Sequence, residues 1–181
     1  MKEDPDAALV LASRTGNRQA FEQLLARYER PVFNAAFRIL HHREDAADVT
    51  QTAFLRAYEH LDRFDPSRTF FSWLYRIAIN EAMDVSGRRK PEAGELDLLP
   101  DHADGPEAQA DGARSENRLQ GALLALNADQ RALVVLKHVQ DFSYEQIADI
   151  LDCPVKTVKS RLFTARRALR DRLLERGWVQ A

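Results

Sequence analysis

Apolar residues recur along this chain at the three- and four-residue spacing of helices, and no sustained two-residue alternation of strands interrupts them. The first block opens with a short helix predicted over Asp6–Thr15, stopped by Gly16. Asn17 is placed to cap a longer helix running to Leu40, with a kink expected at Pro31. A third helix is predicted over Asp45–Leu61, where Phe54, Ala57, Tyr58 and Leu61 fall on one face and are expected in the core. Asp45, Asp48, Gln51, Thr52, Leu55 and Arg56 fall mostly on another face, polar except for one exposed Leu. The fourth, "FFSWLYRIAI" (Phe70–Ile79), is apolar or aromatic except at Ser72 and Arg76, and with Asn80 these form a narrow polar stripe four residues apart.

The second block repeats the helical period. Leu119–Leu126 reads as one helix, and Asn127 with Gln130 caps a second that extends to about Gln140. Asp141 and Phe142 make a turn. Ser143 with Gln146 opens "YEQIADIL", whose Ile147, Ile150 and Leu151 face inward. Asp152–Cys153–Pro154 is a tight turn, after which Val158, Leu162, Ala165 and Leu169 line the buried side of a basic helix. A short helix, a three-residue turn and a longer basic helix make a helix-turn-helix.

Between the blocks, residues 91–113 hold three Pro, seven Asp+Glu and no Lys or Arg. Such a segment reads as a flexible acidic linker. The predicted architecture is therefore all-α: a helical domain over residues 1–90, a linker over 91–113 and a second small helical domain over 114–181. The formal net charge of −2 conceals this layout, because residues 114–181 carry 12 basic and eight acidic residues, and Pro154–Arg176 carry eight against two. No stretch approaches the roughly 20 apolar residues of a membrane span and no signal pattern opens the chain, so membrane insertion is not expected and the cytoplasm is the expected compartment. Cys153 is the only cysteine, which excludes an internal disulfide and is expected to be a small buried thiol. The five His show no metal-ligand spacing, His41–His42 are expected in a solvated loop, and neither a phosphate-binding Gly-rich loop nor a nucleophile motif is present. No metal, cofactor or enzymatic activity is expected.

Two surfaces carry candidate chemistry. The aromatic fourth helix ends in "SGRRK" (Ser86–Lys90), and aromatics beside a polar stripe and a basic terminus suit unpaired bases and phosphates. Lys156, Thr157, Lys159, Ser160 and Phe163 cluster in the first turns of the last helix, where a recognition helix meets base edges, and Arg161, Arg166, Arg167 and Arg170 extend the charge toward phosphates.

With "DAADVTQTAFLRAY" (Asp45–Tyr58), "FFSWLYRIAINEAMD" (Phe70–Asp84) and "SYEQIADILDCPVKTVKSRLFTAR" (Ser143–Arg167) in this order around a linker, the chain resembles the extracytoplasmic-function (ECF) sigma factors of the sigma-70 family. The resemblance implies a transcription initiation factor that binds core RNA polymerase at its clamp helices and flap, recognises promoter DNA and melts the minus-ten element. On it, Asp45, Asp48, Gln51, Thr52 and Leu55 are the expected polymerase contacts. Phe64, Ser67, Trp73, Arg76 and Asn80, with Arg88, Arg89 and Lys90, are the expected minus-ten contacts, around a flipped base. Lys156, Thr157, Lys159, Ser160, Arg161, Phe163, Thr164, Arg166 and Arg167 are expected at the minus-thirty-five duplex. Lys156 stands where the family usually has Gly, and Thr164 where relatives often have Arg. An anti-sigma factor held between the domains is a further partner the resemblance implies. A stand-alone helix-turn-helix regulator is the competing reading, and it leaves Phe70–Lys90 unexplained.

Overall fold

The computed structural model describes residues 4–88, 118–175 and 177. The linker expected over 91–113, and with it Arg89 and Lys90, lies outside the described residues. Among the described residues all regular structure is helical.

Helix α1 (Ala7–Arg14) ends at Gly16, whose φ of 93° suits a residue without a Cβ. Asn17 caps α2 (Arg18–Leu40), its side chain accepting from the Ala20 N–H at 3.2 Å; Pro31 lies inside this helix. His41 and His42 form the two-residue connection as expected, but they are half-buried rather than fully solvated, and each caps a helix. His41 takes the left-handed conformation at φ 51° and closes α2 with a 2.7 Å bond to the Phe37 carbonyl. His42 Nδ1 accepts from the Asp45 N–H at 3.2 Å and opens α3 (Arg43–Glu59). After a 3-10 turn (Leu61–Arg63) comes α4 (Phe70–Arg88). Its first turn is capped from far away, because the Asp4 carboxylate accepts from the Phe70 N–H at 2.8 Å. Asp6, next to it, is buried and takes hydrogen bonds from the Arg27 guanidinium and the Tyr28 hydroxyl. Helices α2, α3 and α4 pack on one another around Leu24, Val32, Ala36, Ile39, Ala53, Phe54, Phe70, Leu74 and Ala78, with α1 against α2.

Two expectations for this block are corrected. Tyr58 is 51% exposed, because the α2–α3 seam closes on Phe54 and Ala57 and leaves Tyr58 at the rim, its ring edge-on to Phe21 at 4.9 Å. Ser72 is only 3% exposed: its N–H donates to Thr69 Oγ1 at 3.2 Å and its Oγ accepts from the Thr69 hydroxyl at 3.0 Å, so Thr69 caps the start of α4 and Ser72 is satisfied inside, away from the polar stripe.

In the second block, a helix over 118–124 (α5) is followed by α6 (Ala128–Val134), capped by the Asn127 side chain. The sequence suggests an unbroken α-helix to Gln140, but Val135–Val139 widen into a π turn, with the Gln140 N–H bonded to the Val135 carbonyl. That turn brings Phe142 back so that its N–H reaches the Leu136 carbonyl at 3.1 Å. Ser143 and Gln146 form a full capping box on α7 (Tyr144–Leu151). Asp152, left-handed at φ 50°, ends it, and α8 (Val155–Glu175) buries Val158, Leu162 and Ala165, with Leu169 partly buried. Cys153 is partly buried in the turn, less enclosed than expected, since the turn lies at the surface end of both helices.

The two blocks pack together, α4 against α6 and α7, and α2 against the π turn. Phe142 stands edge-on to Phe71 at 5.0 Å and to Tyr75 at 5.2 Å, an aromatic corner between the blocks. Arg131, 7% exposed, donates to the carbonyls of Leu123, Leu124 and Leu126 at 2.9 Å each and to that of Ile39 in α2. Gln120 donates to the neighbouring Arg38 carbonyl at 3.1 Å. Two of the last carbonyls of α2, those of Arg38 and Ile39, are thus taken up by side chains of the second block.

Candidate nucleic-acid interface

Three surfaces carry the expected contacts. On α3, Asp48, Gln51 and Leu55 share an exposed face, while Asp45 and Thr52 are half-buried. Leu55 is 56% exposed and, with Gln51 and Tyr58, lines an open groove of about 1080 Å³ between α2 and α3. The opposite wall holds Phe21, Leu25 and Phe33, and the Arg43 guanidinium lies 5.9 Å over the Phe33 ring. The groove wall gathers Gln51 and Leu55, whereas Asp45, Asp48 and Thr52 stand outside it. Sequence reasoning missed the α2 wall and the rim position of Tyr58. The exposed apolar Leu55, three residues from Tyr58 on the helix, is the signal that marks it.

Along α4 the aromatics form a cluster rather than an open stack. Phe64 is buried, with its ring 5.3 Å from Trp73 and 6.1 Å from Phe70, and Trp73 is half-buried beside them. Ser67 is exposed in the preceding loop, where its N–H and hydroxyl bond the Asp65 carboxylate at 2.9 and 2.8 Å and hold that carboxyl below its ordinary range. Asn80 and Arg88 are exposed. Arg76 reaches across to the second block, donating to the Asp149 carbonyl at 2.7 Å and to Asp152 Oδ1 at 3.0 Å. Arg68, absent from the sequence expectations, bonds the same oxygen through both terminal nitrogens at 3.1 Å. Arg68 and Arg76 therefore lie at the boundary with the helix-turn-helix, while Phe64 packs with Phe70 and Trp73.

The third surface is α8. Because Val158, Leu162 and Ala165 are buried, most of the remaining positions of its first three turns point outward, Val155 excepted. Lys156, Lys159, Ser160, Arg161, Thr164, Arg166 and Arg167 are exposed and Thr157 is half-buried. Phe163, among these cations, is 71% exposed. The face thus offers apolar contact and positive charge side by side. Two of the cations are held. Lys159 Nζ lies 5.4 Å over the Tyr144 ring, and Arg166 Nε donates to His138 Nε2 at 3.0 Å. Desolvation, then the charges of Arg166 and Lys137, hold the His138 pKa below its ordinary value, which keeps its ring nitrogen an acceptor for Arg166.

Among the described residues, no group of three or more His, Cys, Asp or Glu is placed to hold a metal ion, and no helix is long and apolar enough to cross a membrane. Residues 24–91 match the family model of Sigma-70 region 2 and residues 116–169 that of Sigma-70, region 4. The chain is 34% identical to the RNA polymerase sigma-H factor of Pseudomonas aeruginosa, over 97% of this chain and 96% of that protein. It is 35% identical to the ECF RNA polymerase sigma factor SigW of Bacillus subtilis (88% and 92%) and 34% identical to the ECF RNA polymerase sigma-E factor of Escherichia coli K12 (93% and 94%). Among solved structures it resembles CnrH in complex with the cytosolic domain of CnrY, at a TM-score of 0.71 and 30% identity over 94% of this chain and 97% of CnrH. It also resembles the sigma factor RpoE of Bartonella quintana in complex with the anti-sigma factor NepR, at a TM-score of 0.62 and 28% identity over 84% and 96%. Two helical blocks that match regions 2 and 4 in order, and relatives that share nearly the whole length, make this chain a member of the ECF RNA polymerase sigma factor family.

Proposed function

We propose that this sigma factor joins core RNA polymerase through the exposed face of α3 and the groove beside it, and holds promoter DNA at two places. Asp48, Gln51 and Leu55 meet the polymerase clamp helices, with Asp45 and Thr52 at the edge. The start of α4 and the loop before it, through Ser67, Trp73, Arg76 and Asn80, receive the opened minus-ten strand, which Arg88, Arg89 and Lys90 hold by its phosphates while Phe64 braces the aromatics. Lys156, Thr157, Lys159, Ser160, Arg161, Phe163 and Thr164 read the minus-thirty-five duplex, and Arg166 and Arg167 hold its backbone. The protein acts in the cytoplasm and supplies recognition and strand opening without turnover of its own.

The observation that carries this reading is the face of α8. A half-exposed Lys/Arg stripe on any helix is usually just solvated, but here seven polar or basic positions surround an exposed Phe163 on the second helix of a helix-turn-helix. An anti-sigma factor is a proposed partner, supported by the complexes of CnrH with CnrY and of RpoE with NepR. Reconstituting core polymerase with the protein and sequencing transcript 5′ ends is the test. New, promoter-specific starts that require the protein are expected. Specific promoter binding by the protein alone, with no effect on the starts chosen by core enzyme, would favour a stand-alone regulator.

A further inference from the structure

Asp152 is a C-cap residue of α7, yet its carboxylate does more than close a helix. One of its oxygens takes three N–H bonds from two guanidiniums, both from Arg68 and one from Arg76, at 3.0–3.1 Å. The hydrogen bond from Arg68, then the charge of Arg76, hold this carboxyl below its ordinary range, so it is ionised at neutral pH. An anionic oxygen forked by two arginines is the ligand arrangement that a DNA phosphate would take from the same side chains. Arg76 also bonds the Asp149 carbonyl, and Phe142 leans on Phe71 and Tyr75 in the same helix, so the end of α7 covers this part of α4. The surface of α8 differs: Lys156, Lys159, Ser160 and Phe163 are exposed in the same structure.

We infer that Asp152 is an internal stand-in for a backbone phosphate of the minus-ten strand, so that α4 admits single-stranded DNA only after α7 has left it, while α8 is open to duplex throughout. This rests on the reading of Arg76 as a strand contact. The apparent affinity for the strand is then the intrinsic affinity reduced by the fraction of molecules that are open. Ion pairs as exposed as these shift such an equilibrium by roughly two- to fivefold.

The test uses the full chain without polymerase. Binding of a fluorescein-labelled, short single-stranded oligonucleotide of random sequence is followed by anisotropy at low salt, and separation of the blocks by small-angle scattering. Asp152→Asn and Asp152→Gly both suit the left-handed backbone at φ 50°, so the turn is kept while the charge is removed. Both variants should bind the oligonucleotide about two- to fivefold more tightly and show a larger radius of gyration. The gain in binding should vanish when Arg68→Ala and Arg76→Ala are also present. Affinity and radius equal to wild type, with Arg76→Ala still weakening binding in the Asp152→Asn background, would overturn the inference and leave the role of Arg76 standing. A gain that persists without both arginines would mean that the carboxylate merely repels DNA, which also overturns it. No effect of Arg76→Ala in the Asp152→Asn background would remove the strand-binding role itself, and the inference with it.

Discussion

Among the described residues, Arg131 carries a full positive charge in the interior without a carboxylate among its hydrogen-bond acceptors. Burial pushes its pKa down to about 10, so it remains charged at neutral pH, and four backbone carbonyls serve as its counter-charge, with the Ser86 hydroxyl at 3.4 Å. Three of these carbonyls end α5 and the turn after it, and the fourth ends α2, so the guanidinium sits where the negative ends of two helix dipoles converge. Replacing it by methionine keeps most of the apolar volume and strands the four acceptors. At about 1 kcal/mol per stranded carbonyl the loss is about 4 kcal/mol, and release from burying a cation returns part of it, leaving about 3 kcal/mol. For a chain of this size that corresponds to a fall of roughly 6–12 °C in melting temperature. Lysine offers three donors at one point instead of a planar fork, so Arg131→Lys should recover only part of the loss. Urea unfolding followed by circular dichroism measures both variants. If Arg131→Met unfolds within about 0.5 kcal/mol of wild type, the carbonyls are hydrated or rebonded without the guanidinium and the account of the junction fails.

On the polymerase side, Asp48→Ala with Gln51→Ala should weaken assembly with core enzyme while helicity is unchanged, because both side chains are exposed; pull-down with core polymerase and circular dichroism check the two halves. Asn80→Ala should slow initiation on closed promoters and shift the base preference at one minus-ten position, recovering part of its rate on a pre-melted template. Lys159→Ala should weaken duplex binding on both templates, by about 1–3 kcal/mol if it contacts a base; equal defects on closed and melted templates would contradict this division. His138 should make stability fall with acid: a base whose native pKa is depressed takes up its proton more readily when unfolded, so stability drops as pH falls through the ordinary value of 6.5. Melting curves across that range should be flatter for His138→Gln.

What the sequence disclosed follows from the range of the interactions. Asn17, the pair Asn127 and Gln130, and the pair Ser143 and Gln146 act within one helical turn, so their spacing announces them, and all three cap as expected. The helix-turn-helix was legible for the same reason, as was the exposed Leu55. Tyr58 was misplaced because periodicity marks the direction of a face and not where the neighbouring helix stops covering it. Ser72 was misplaced because a hydroxyl can be satisfied inside by Thr69. The π turn left no mark, since the residues that widen it, Val135–Val139, are ordinary helix formers or packers and the cause lies in the return of Phe142. Arg131 was invisible because its partners are carbonyls, which every residue type carries. Arg68 and Asp152 lie 84 positions apart, and nothing local joins them.

The left-handed backbone at Asp152 has a consequence for how such a chain can change over generations. Asp, Asn and Gly are the residues at ease there, and a single nucleotide substitution converts the codon of the first into that of either of the others. Only Asp supplies the charge that holds Arg68 and Arg76. On the proposed roles, the readiness of the chain to open can therefore be retuned in one mutational step that leaves the turn intact and every exposed side chain of α8 unaltered, so promoter choice and basal restraint can vary independently within one lineage.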